Sequence, residues 1–386
     1  MKRIKALSLF ANVGIGEVYL KQVGIDVCVA NELLEERVKF YSHLYPNTEI
    51  IAGDITNETT FNQIISSSKR HNVELIIATP PCQGMSTAGK QDVNDPRNLL
   101  ILEVFKAIKI LNPKYVLIEN VPEFLKTKIL YKNNEKLIVD HLVNEFDTEY
   151  NFSHNFSLNA CHFSVPQNRE RAIILMTRKD IPFVWQHPEQ DKKIVTMEAA
   201  IGHLPQLDPY VKDISEEERN KLFPMYYQRK EQAEKISKWF SPPSHIYRQV
   251  FSLMHTPTGK SAFENIEKFQ PKKANGEKVK GFKNTYKRQE WNKPAFTITM
   301  YNRTIGSQDN VHPGRYIGKD EQGYDLYSDA RVLTIYEILI LSSLPPDWNI
   351  PSWASDNFIR SVIGEGVPPL LIKKIMKGLV KHNDKI

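Results

Sequence analysis

The sequence predicts an α/β protein: a doubly wound, mostly parallel sheet, followed by a smaller, irregular and largely β domain. Short apolar runs alternate with helical stretches through the first half of the chain, which is typical of βαβ units. Further on, near residue 183, prolines recur and the alternation becomes poor. With 386 residues the chain exceeds one typical core, so two domains are expected.

The composition limits the class of protein. It is 41% hydrophobic and 25% charged, as in ordinary soluble proteins, and no apolar run approaches the length of a membrane span. The three cysteines, Cys28, Cys82 and Cys161, form no CxxC pair, which argues against a zinc site and a disulfide scaffold. We expect a cytoplasmic protein with no membrane contact, no signal peptide and no bound metal.

The elements of the first domain follow from its apolar runs. Five runs predict the parallel strands: residues 4–10, 26–30, Glu49–Ala52, Leu75–Ala78 and 115–118. The stretches that predict helices are residues 17–23, 35–43, 99–111 and 131–146. Two further strands are predicted at residues 156–159 and 172–176.

Polar residues and glycines follow the first three predicted strands. The turn that contains Asn12, Gly14 and Gly16 lets a ligand approach the backbone. Glu32 ends the second strand, where an acidic residue commonly binds ribose hydroxyls, and Asp54 follows the third strand. Because the turn has only two glycines, a plain tight turn is the alternative, and Asp54 could equally cap a helix.

A cysteine follows the fourth predicted strand. Pro80 and Pro81 end that strand, because proline fixes φ and removes the backbone donor. Cys82 then lies on a loop beyond the carboxyl edge, where open α/β sheets bind ligands. It is a candidate nucleophile, with a structural loop thiol as the alternative.

Charged residues lie near the fifth and the last predicted strands. Glu119 is delivered to the same edge as Cys82 and is a candidate general acid, or else a member of an ion pair or a helix cap. Arg169 and Arg171 alternate at the start of a strand and so share one face. Two guanidinium groups there suit an anion or a pyrimidine carbonyl, although a surface ion-pair ladder is the simpler interpretation.

The second half of the chain is basic. Residues 221–290 contain 15 Lys and Arg against 6 Asp and Glu, a net charge of +9 in a chain whose total is +6. Such a stretch indicates contact with a phosphate backbone, or alternatively a solvated lysine face. A strand is predicted at residues 297–301, a helix at 334–344, and a last helix at 370–381 that packs back on the first domain.

The order of these motifs resembles the DNA (cytosine-5)-methyltransferases of bacterial restriction–modification systems. The motifs that carry the resemblance are Pro81-Cys82-Gln83, Glu119-Asn120-Val121, residues 167–171 and Gly364-Glu365-Gly366. It covers nearly the whole chain outside residues 192–285. It implies a Rossmann-like catalytic domain at residues 1–183, a target-recognition domain at 184–354, and a C-terminal segment at 355–386.

The resemblance assigns catalytic roles. Cys82 would add to carbon 6 of cytosine, which makes carbon 5 nucleophilic, and Glu119 would contact ring nitrogen 3. Arg171, helped by Arg169, would hold the carbonyl oxygen and orient Glu119. The target base would flip out of the duplex, and residues 84–97 would close over it.

The resemblance also implies S-adenosylmethionine as the cofactor. The residues assigned to it are Phe10, Asn12, Gly14 and Gly16 on the methionine side, Glu32 on the ribose, Leu33, Asp54 and Ile55 on the adenine, and Leu100 in the pocket wall. Three residues depart from the family pattern: Ser8 where an acid is usual, Asn12 where glycine is usual, and Glu365 where asparagine is usual.

The predicted function is site-specific methylation of carbon 5 of cytosine in double-stranded DNA by a monomer associated with the nucleoid, which protects host DNA from a cognate restriction endonuclease. Residues 186–286 are predicted to recognise the target. The alternatives are an RNA (tRNA) cytosine-5 methyltransferase and a catalytically silent DNA-binding homologue. The incomplete glycine turn disfavours a nucleotide-dependent oxidoreductase.

Overall fold

The computed structural model describes residues 3–81, 95–131, 134–282 and 284–383. The chain divides into two compact units. Unit 1 comprises Met1–Phe163, Glu170–Lys192 and Val367–Ile386, and unit 2 comprises Ser164–Arg169 and Lys193–Gly366. The main boundaries between the compact units thus lie after residues 192 and 366. The boundaries of the predicted functional domains lie after residues 183 and 354.

Unit 1 is built on one large sheet and a hairpin. Its strands are β1 (Ile4–Leu9), β2 (Ile25–Glu32), β3 (Glu49–Ala52), β4 (Leu75–Ala78), β5 (Tyr115–Asn120), β6 (Lys128–Tyr131), β7 (Asn134–Leu137), β8 (Tyr150–Phe152), β9 (Ser157–Asn159) and β10 (Glu170–Arg178). The large sheet has the order β3-β2-β1-β4-β5-β10-β8, with β9 paired to β10. Strands β1 to β5 are parallel and β10 is antiparallel to its neighbours. The predicted mostly parallel sheet is confirmed.

The main core of unit 1 lies between one face of the sheet and three helices. The first four helices of the chain are α1 (Glu35–Leu44), α2 (Glu58–His71), α3 (Ile101–Leu111) and α4 (Ile138–Phe146). Alternate strand residues such as Leu9, Ile76 and Ile118 pack against α2, α3 and α4. Because side chains alternate across a strand, the intervening residues face the opposite side of the sheet.

Two predicted helices of unit 1 differ from the structure. Residues 17–23 form two short 3₁₀ turns, Ile15–Glu17 and Lys21–Val23, in place of one helix. The prediction of a helix over residues 131–146 is wrong in its first part, where β6 and β7 pair as a hairpin and α4 begins only at Ile138. Ile129 explains the difference, since it is fully buried in the main core and anchors the hairpin there.

Unit 2 is irregular and contains more helix than strand. Its strands are β11 (Tyr210–Val211), β12 (Ser244–His245), β13 (Tyr316–Lys319) and β14 (Asp325–Tyr327). Its helices are α5 (Met197–Ile201), α6 (Glu216–Leu222), α7 (Tyr226–Ile236), α8 (Tyr247–Met254), α9 (Ile335–Leu341) and α10 (Asp356–Glu365). The expectation of an irregular domain is met. The expectation that it is largely β is wrong, because its described strands are short pairs and helices are more extensive.

The strand predicted at residues 297–301 is absent, although the structure describes all five residues. The Ile298 N–H donates to the Gln167 side chain at 3.2 Å, and its carbonyl accepts from the Arg169 guanidinium at 3.0 Å. Side chains therefore satisfy this backbone where a neighbouring strand would otherwise do so.

A buried ionic network takes the place of a sheet in the core of unit 2. The Arg331 guanidinium, fully buried, lies 2.9 Å from Asp329 and 2.8 Å from Glu337. Burial alone would raise the pKa of the Glu337 carboxyl, but the charge of Arg331 lowers it below its ordinary value. Arg288, also buried, donates to four backbone carbonyls. These contacts fix loops that have little regular hydrogen bonding of their own.

The last helix, α11 (Pro369–Asn383), belongs to unit 1. The Trp185 indole N–H donates to the Ile375 carbonyl at 3.2 Å, and Lys374 forms an ion pair with Asp191. Trp185 also packs edge-on against Tyr115 of β5, so α11 is tied to the face of the sheet opposite the main core. Within the described ranges, no helix is long and apolar enough to span a membrane.

Candidate active site

The carboxyl ends of β1 to β5 bring most of the predicted site residues to one edge of the sheet. The order β3-β2-β1-β4-β5 places the ends of β2 and β3, with Glu32 and Asp54, on one side of β1, and Glu119 at the end of β5 on the other. The connections reverse direction at β1, and ligands of open α/β sheets bind at such a point. Cys82 and most of the predicted lid at 84–97 lie outside the described residues.

The turn after β1 has a left-handed backbone at Asn12, the position where the family pattern has glycine. Phe10 and Asn12 have φ values of 58° and 51°, in the left-handed region, and Asn tolerates that region better than most residues. Gly14 has φ 75°, and a Cβ there would lie 2.3 Å from the Tyr45 ring. The Tyr45 hydroxyl donates to the Gly14 carbonyl at 2.6 Å, which holds the turn from below.

Glu32 is buried and its carboxylate is fixed by backbone donors. The Asn12 N–H donates to Oε2 at 2.9 Å and the Leu34 N–H donates to Oε1 at 3.0 Å. Leu33, next to it, exposes 57% of its surface. A fixed carboxylate beside an exposed apolar side chain can receive a group that is polar at one end and flat and apolar at the other.

The residues after β3 are held in a local turn. The Asp54 carboxylate accepts from the Thr56 N–H and hydroxyl, both at 2.8 Å. Asn31 donates to the Ile51 and Gly53 carbonyls at 2.9 and 3.1 Å, which fixes the chain before Asp54. The Ile55 side chain is only 3% exposed and belongs to the main core.

Leu100 lines a cavity of about 420 Å³ in unit 1. Thr56, two residues after Asp54, lines the same cavity, and the remaining wall comes mainly from α3 and α4. The structure therefore brings Leu100 and Thr56 to a common space. Gly16 lies elsewhere, against Ile372 of α11, where an added Cβ would be 3.5 Å from Ile372 Cγ1.

Glu119, which is buried, and Arg171, which is largely buried, form an ion pair. Arg171 Nε lies 2.9 Å from Glu119 Oε1, and the two side chains are 11% and 8% exposed. The pair forms because β10 runs antiparallel to β5, so that the start of β10 lies beside the end of β5. The Arg171 Nη1 also donates to the Glu170 carbonyl at 2.6 Å. The guanidinium thus holds the carboxylate in one orientation.

Arg169 donates to a different set of partners, which lie in unit 2. Its guanidinium donates to the carbonyls of Ile298, Gly364 and Gly366 at 2.9–3.0 Å, and more weakly to that of Glu365 at 3.4 Å. Three of these carbonyls end helix α10, which a positive charge stabilises. Sequence reasoning missed this structural role, and the predicted help from Arg169 to Arg171 stays a prediction.

Two polar residues anchor the chain just before Cys82. The Asn120 amide donates to the Pro80 carbonyl at 3.1 Å, and the Thr79 hydroxyl donates to the Phe10 carbonyl at 3.0 Å. The chain that enters the cysteine loop is thus tied to the ends of β5 and β1. Asn120 is next to Glu119 in the sequence, but nothing in the sequence predicted its hydrogen bond to the Pro80 carbonyl.

A buried carboxylate lies under the glycine turn. Glu17 is 7% exposed and accepts from the Tyr41 hydroxyl at 2.5 Å. Burial raises the pKa of Glu17 to about 7, against the effect of hydrogen bonds from Ser8 and Tyr41. The acidic residue that the family pattern places at Ser8 is missing, but Glu17 brings a carboxyl group to the same hydrogen-bonded cluster.

The other two thiols are poorly suited to nucleophilic chemistry. Burial raises the pKa of both the Cys28 and the Cys161 thiol, which lowers the thiolate fraction at neutral pH. In the part of the chain that the structure describes, no cluster of three His, Cys, Asp or Glu side chains could hold a metal ion.

Comparisons with a family model and with known sequences agree on one family. A family model described as C-5 cytosine-specific DNA methylase matches residues 4–381. Type II methyltransferase M1.HgaI of Avibacterium volantium is 42% identical to this chain, over 99% of both proteins. Type II methyltransferase M.Eco47II of Escherichia coli is 27% identical, over 98% of this chain and 79% of that protein. The resemblance drawn from the motifs is confirmed.

Solved structures give the same fold. A DNA modification methyltransferase encoded within an Escherichia coli prophage aligns with a TM-score of 0.63 and 20% identity, over 99% of both chains. A DNMT2 variant of Spodoptera frugiperda aligns with a TM-score of 0.59 and 17% identity, over 98% of this chain and 99% of that one. At these identities the likeness concerns the fold.

Proposed function

This chain belongs to the family of C-5 cytosine-specific DNA methylases, and we propose that it methylates one cytosine within a short duplex DNA sequence, with S-adenosylmethionine as donor. We assign it to a type II restriction–modification system, with a cognate endonuclease as its functional counterpart. Both relatives named above are type II methyltransferases by name, and this chain covers 99% of one and 79% of the other, which supports this assignment.

The observation that carries the proposal is the largely buried Glu119–Arg171 pair at the end of β5. Cytosine presents a ring nitrogen and a carbonyl oxygen side by side. A carboxyl group suits the nitrogen and a guanidinium suits the oxygen, and their fixed geometry would bind both atoms at once. We therefore assign Glu119 to ring nitrogen 3 and Arg171 to the carbonyl oxygen.

Cys82 is the proposed nucleophile. Its thiolate would bond to carbon 6 while nitrogen 3 takes up a proton held by Glu119, and the electron pair moves to carbon 5. Carbon 5 would then bond to the methyl carbon as the bond from that carbon to the sulfonium sulfur breaks, and carbon 5 would lose its own proton to a base. Departure of the sulfur from carbon 6 as thiolate, with return of the nitrogen-3 proton to Glu119, would restore the aromatic ring. The anchors on Thr79 and Pro80 support this role, because they fix the chain that leads to Cys82.

Base flipping follows from the same assignment. Carbon 6 of a stacked cytosine is not accessible to a thiolate, so the base must leave the helix before the reaction. A buried pair that binds the ring edge would compensate for part of the lost stacking and pairing.

The residues at the ends of β1 and β2 fit S-adenosylmethionine. When bound, this cofactor supplies an electrophilic methyl group on a sulfonium. The fixed carboxylate of Glu32 would hold the ribose hydroxyls, and the exposed surface of Leu33 would cover the adenine. The left-handed turn at Phe10 and Asn12 would receive the methionine end, while Asp54 and Leu100 would complete the adenine pocket.

A methyl-transfer assay tests this function. The purified protein is incubated with tritium-labelled S-adenosylmethionine and either plasmid DNA, total RNA or no nucleic acid. We expect label in DNA alone, and bisulfite sequencing should show methylated cytosines at one short repeated sequence. Label in RNA, or transfer to DNA by a Glu119→Gln variant at the wild-type rate, would contradict the proposal.

A further inference from the structure

Residues 272–282 of unit 2 form a projection that we name the basic finger. Every residue from Lys272 to Lys278 is exposed. The two sides of the finger pair through Val279 N–H to Pro271 carbonyl at 3.0 Å and Lys273 N–H to Glu277 carbonyl at 2.7 Å. Gly276, at the tip, has φ 83° and no neighbouring atom within 4 Å of where a Cβ would be. The finger is therefore an ordered turn that extends into solvent.

The finger is strongly positive. It contains four lysines and one glutamate. Lys273 pairs with Glu277 at 2.9 Å and Lys278 pairs with Glu267 at 3.0 Å, whereas Lys272 and Lys280 form no ion pair within the described ranges. These two ammonium groups are available to an external anion.

An aromatic ring stands at the base of the finger. Phe282 is 77% exposed, yet its carbonyl accepts from the Thr285 N–H at 2.9 Å and from the Thr285 hydroxyl at 2.8 Å. Before it, Gly281 lies so close to Phe263 that a Cβ would be 2.5 Å from that ring. The Phe282 carbonyl is thus held by two hydrogen bonds while the ring faces water. A large exposed ring beside exposed lysines suits a partner that offers both anions and apolar groups.

We propose that the basic finger enters a groove of the duplex, where Lys272 and Lys280 bind phosphates and Phe282 contacts the edge of a base pair. The proposal rests on the proposed function and names the element of unit 2 that meets DNA. Phosphates are the anions that such lysines suit, and the thymine methyl is the apolar group that the major groove offers a ring. The lysines therefore supply affinity, and Phe282 contributes to the choice of sequence.

Two variants separate these roles: the double variant Lys272→Gln/Lys280→Gln, and Phe282→Ala. Their controls in unit 2 are Lys230→Gln/Lys235→Gln, whose lysines pair with glutamates on α7, and Ile266→Ala, whose side chain is 55% exposed. The dissociation constant for a duplex with the methylated sequence is measured across salt concentrations. Thermal unfolding of each variant, followed by circular dichroism, reports that both units are folded.

The finger lysine variant should bind DNA more weakly, and its log–log salt slope should fall by about 2, since each phosphate contact contributes about 1. Phe282→Ala should weaken binding by roughly tenfold with the salt slope unchanged, as for loss of a base contact. If both variants match their controls while the wild type methylates DNA, the finger proposal is overturned and the proposed function stands. Failure of the wild type to methylate DNA would overturn the proposed function instead.

Discussion

At the scale of single residues, Glu32 is the best-defined candidate for cofactor binding, since two backbone donors fix its carboxylate. We predict that Glu32→Ala weakens S-adenosylmethionine binding by about 1.5–3 kcal/mol, the range for hydrogen bonds to a charged group. Isothermal titration measures this directly. Glu35→Ala, which removes an exposed carboxylate nearby at the start of α1, is the control and should bind as the wild type does. Equal affinity of both variants would refute the role of Glu32.

Glu17 gives a prediction about pH. Its pKa is raised to about 7 in the folded protein, from an ordinary value of 4.5. Below pH 4.5 both the folded and the unfolded chain hold the proton, so the shift has no effect. As the pH rises to 7 the unfolded chain loses its proton first, and the free energy of unfolding falls by up to about 3 kcal/mol.

The variant Glu17→Gln removes this titration while it keeps groups that can bond to Ser8 and Tyr41. The wild type should therefore lose stability relative to Glu17→Gln as the pH rises from 5 to 8. Amide hydrogen exchange of β1, followed by mass spectrometry, measures the difference within unit 1. Glu36→Gln, an exposed site on α1, should follow the wild-type profile. Parallel profiles for Glu17→Gln and the wild type would show that Glu17 titrates normally.

At the scale of elements, the end of β5 does two things: it carries Glu119, and through Asn120 it anchors the Pro80 carbonyl. We predict that Asn120→Ala lowers kcat by roughly 10- to 100-fold, because a small displacement of a nucleophile is costly. The dissociation constant for S-adenosylmethionine should not change. Asn57→Ala, which removes the N-cap of α2, is the control and should lower stability by about 1 kcal/mol without lowering kcat. A wild-type kcat for Asn120→Ala would show that this anchor does not position the cysteine loop.

Most strands of unit 1 could be predicted because their apolar runs are continuous and local. β3 and β4 have the predicted bounds, and Pro80 and Pro81 stop β4 as expected. The hairpin of β6 and β7 could not be found from periodicity, since its structure depends on a distant core that accepts Ile129. In unit 2 even fewer elements can be found from periodicity. There, buried ions such as Arg331 and side-chain contacts to carbonyls replace the local hydrogen bonds of regular elements.

The candidate site was predictable in its residue types but not in its contacts. Motif order alone located Glu119 and Arg171. Their ion pair required the antiparallel orientation of β10, which no local pattern revealed. Likewise, Arg169 and Arg171 were expected to share a face, but Arg171 pairs with Glu119 of unit 1, whereas Arg169 donates to backbone carbonyls of unit 2.

At the scale of the whole molecule, the two compact units are stabilised differently and carry different parts of the proposed function. Unit 1 holds the parallel sheet, the proposed cofactor residues and the Glu119–Arg171 pair. Unit 2 holds the buried ionic network and the basic finger. A surface projection such as the finger can change in sequence without any change in the sheet, so target specificity could diverge while the chemistry is kept.

The central claim is that Cys82 bonds to the target base. Fluorine at carbon 5 of cytosine cannot leave as a proton does, so the enzyme should stay attached to such DNA after methyl transfer. The measurement is denaturing electrophoresis of the protein with 5-fluorocytosine DNA, followed by mass spectrometry of the linked peptide. We predict an adduct at Cys82 that requires S-adenosylmethionine, is lost in Cys82→Ser and persists in Cys161→Ser. An adduct that survives Cys82→Ser, or that maps to Cys28 or Cys161, would contradict the mechanism.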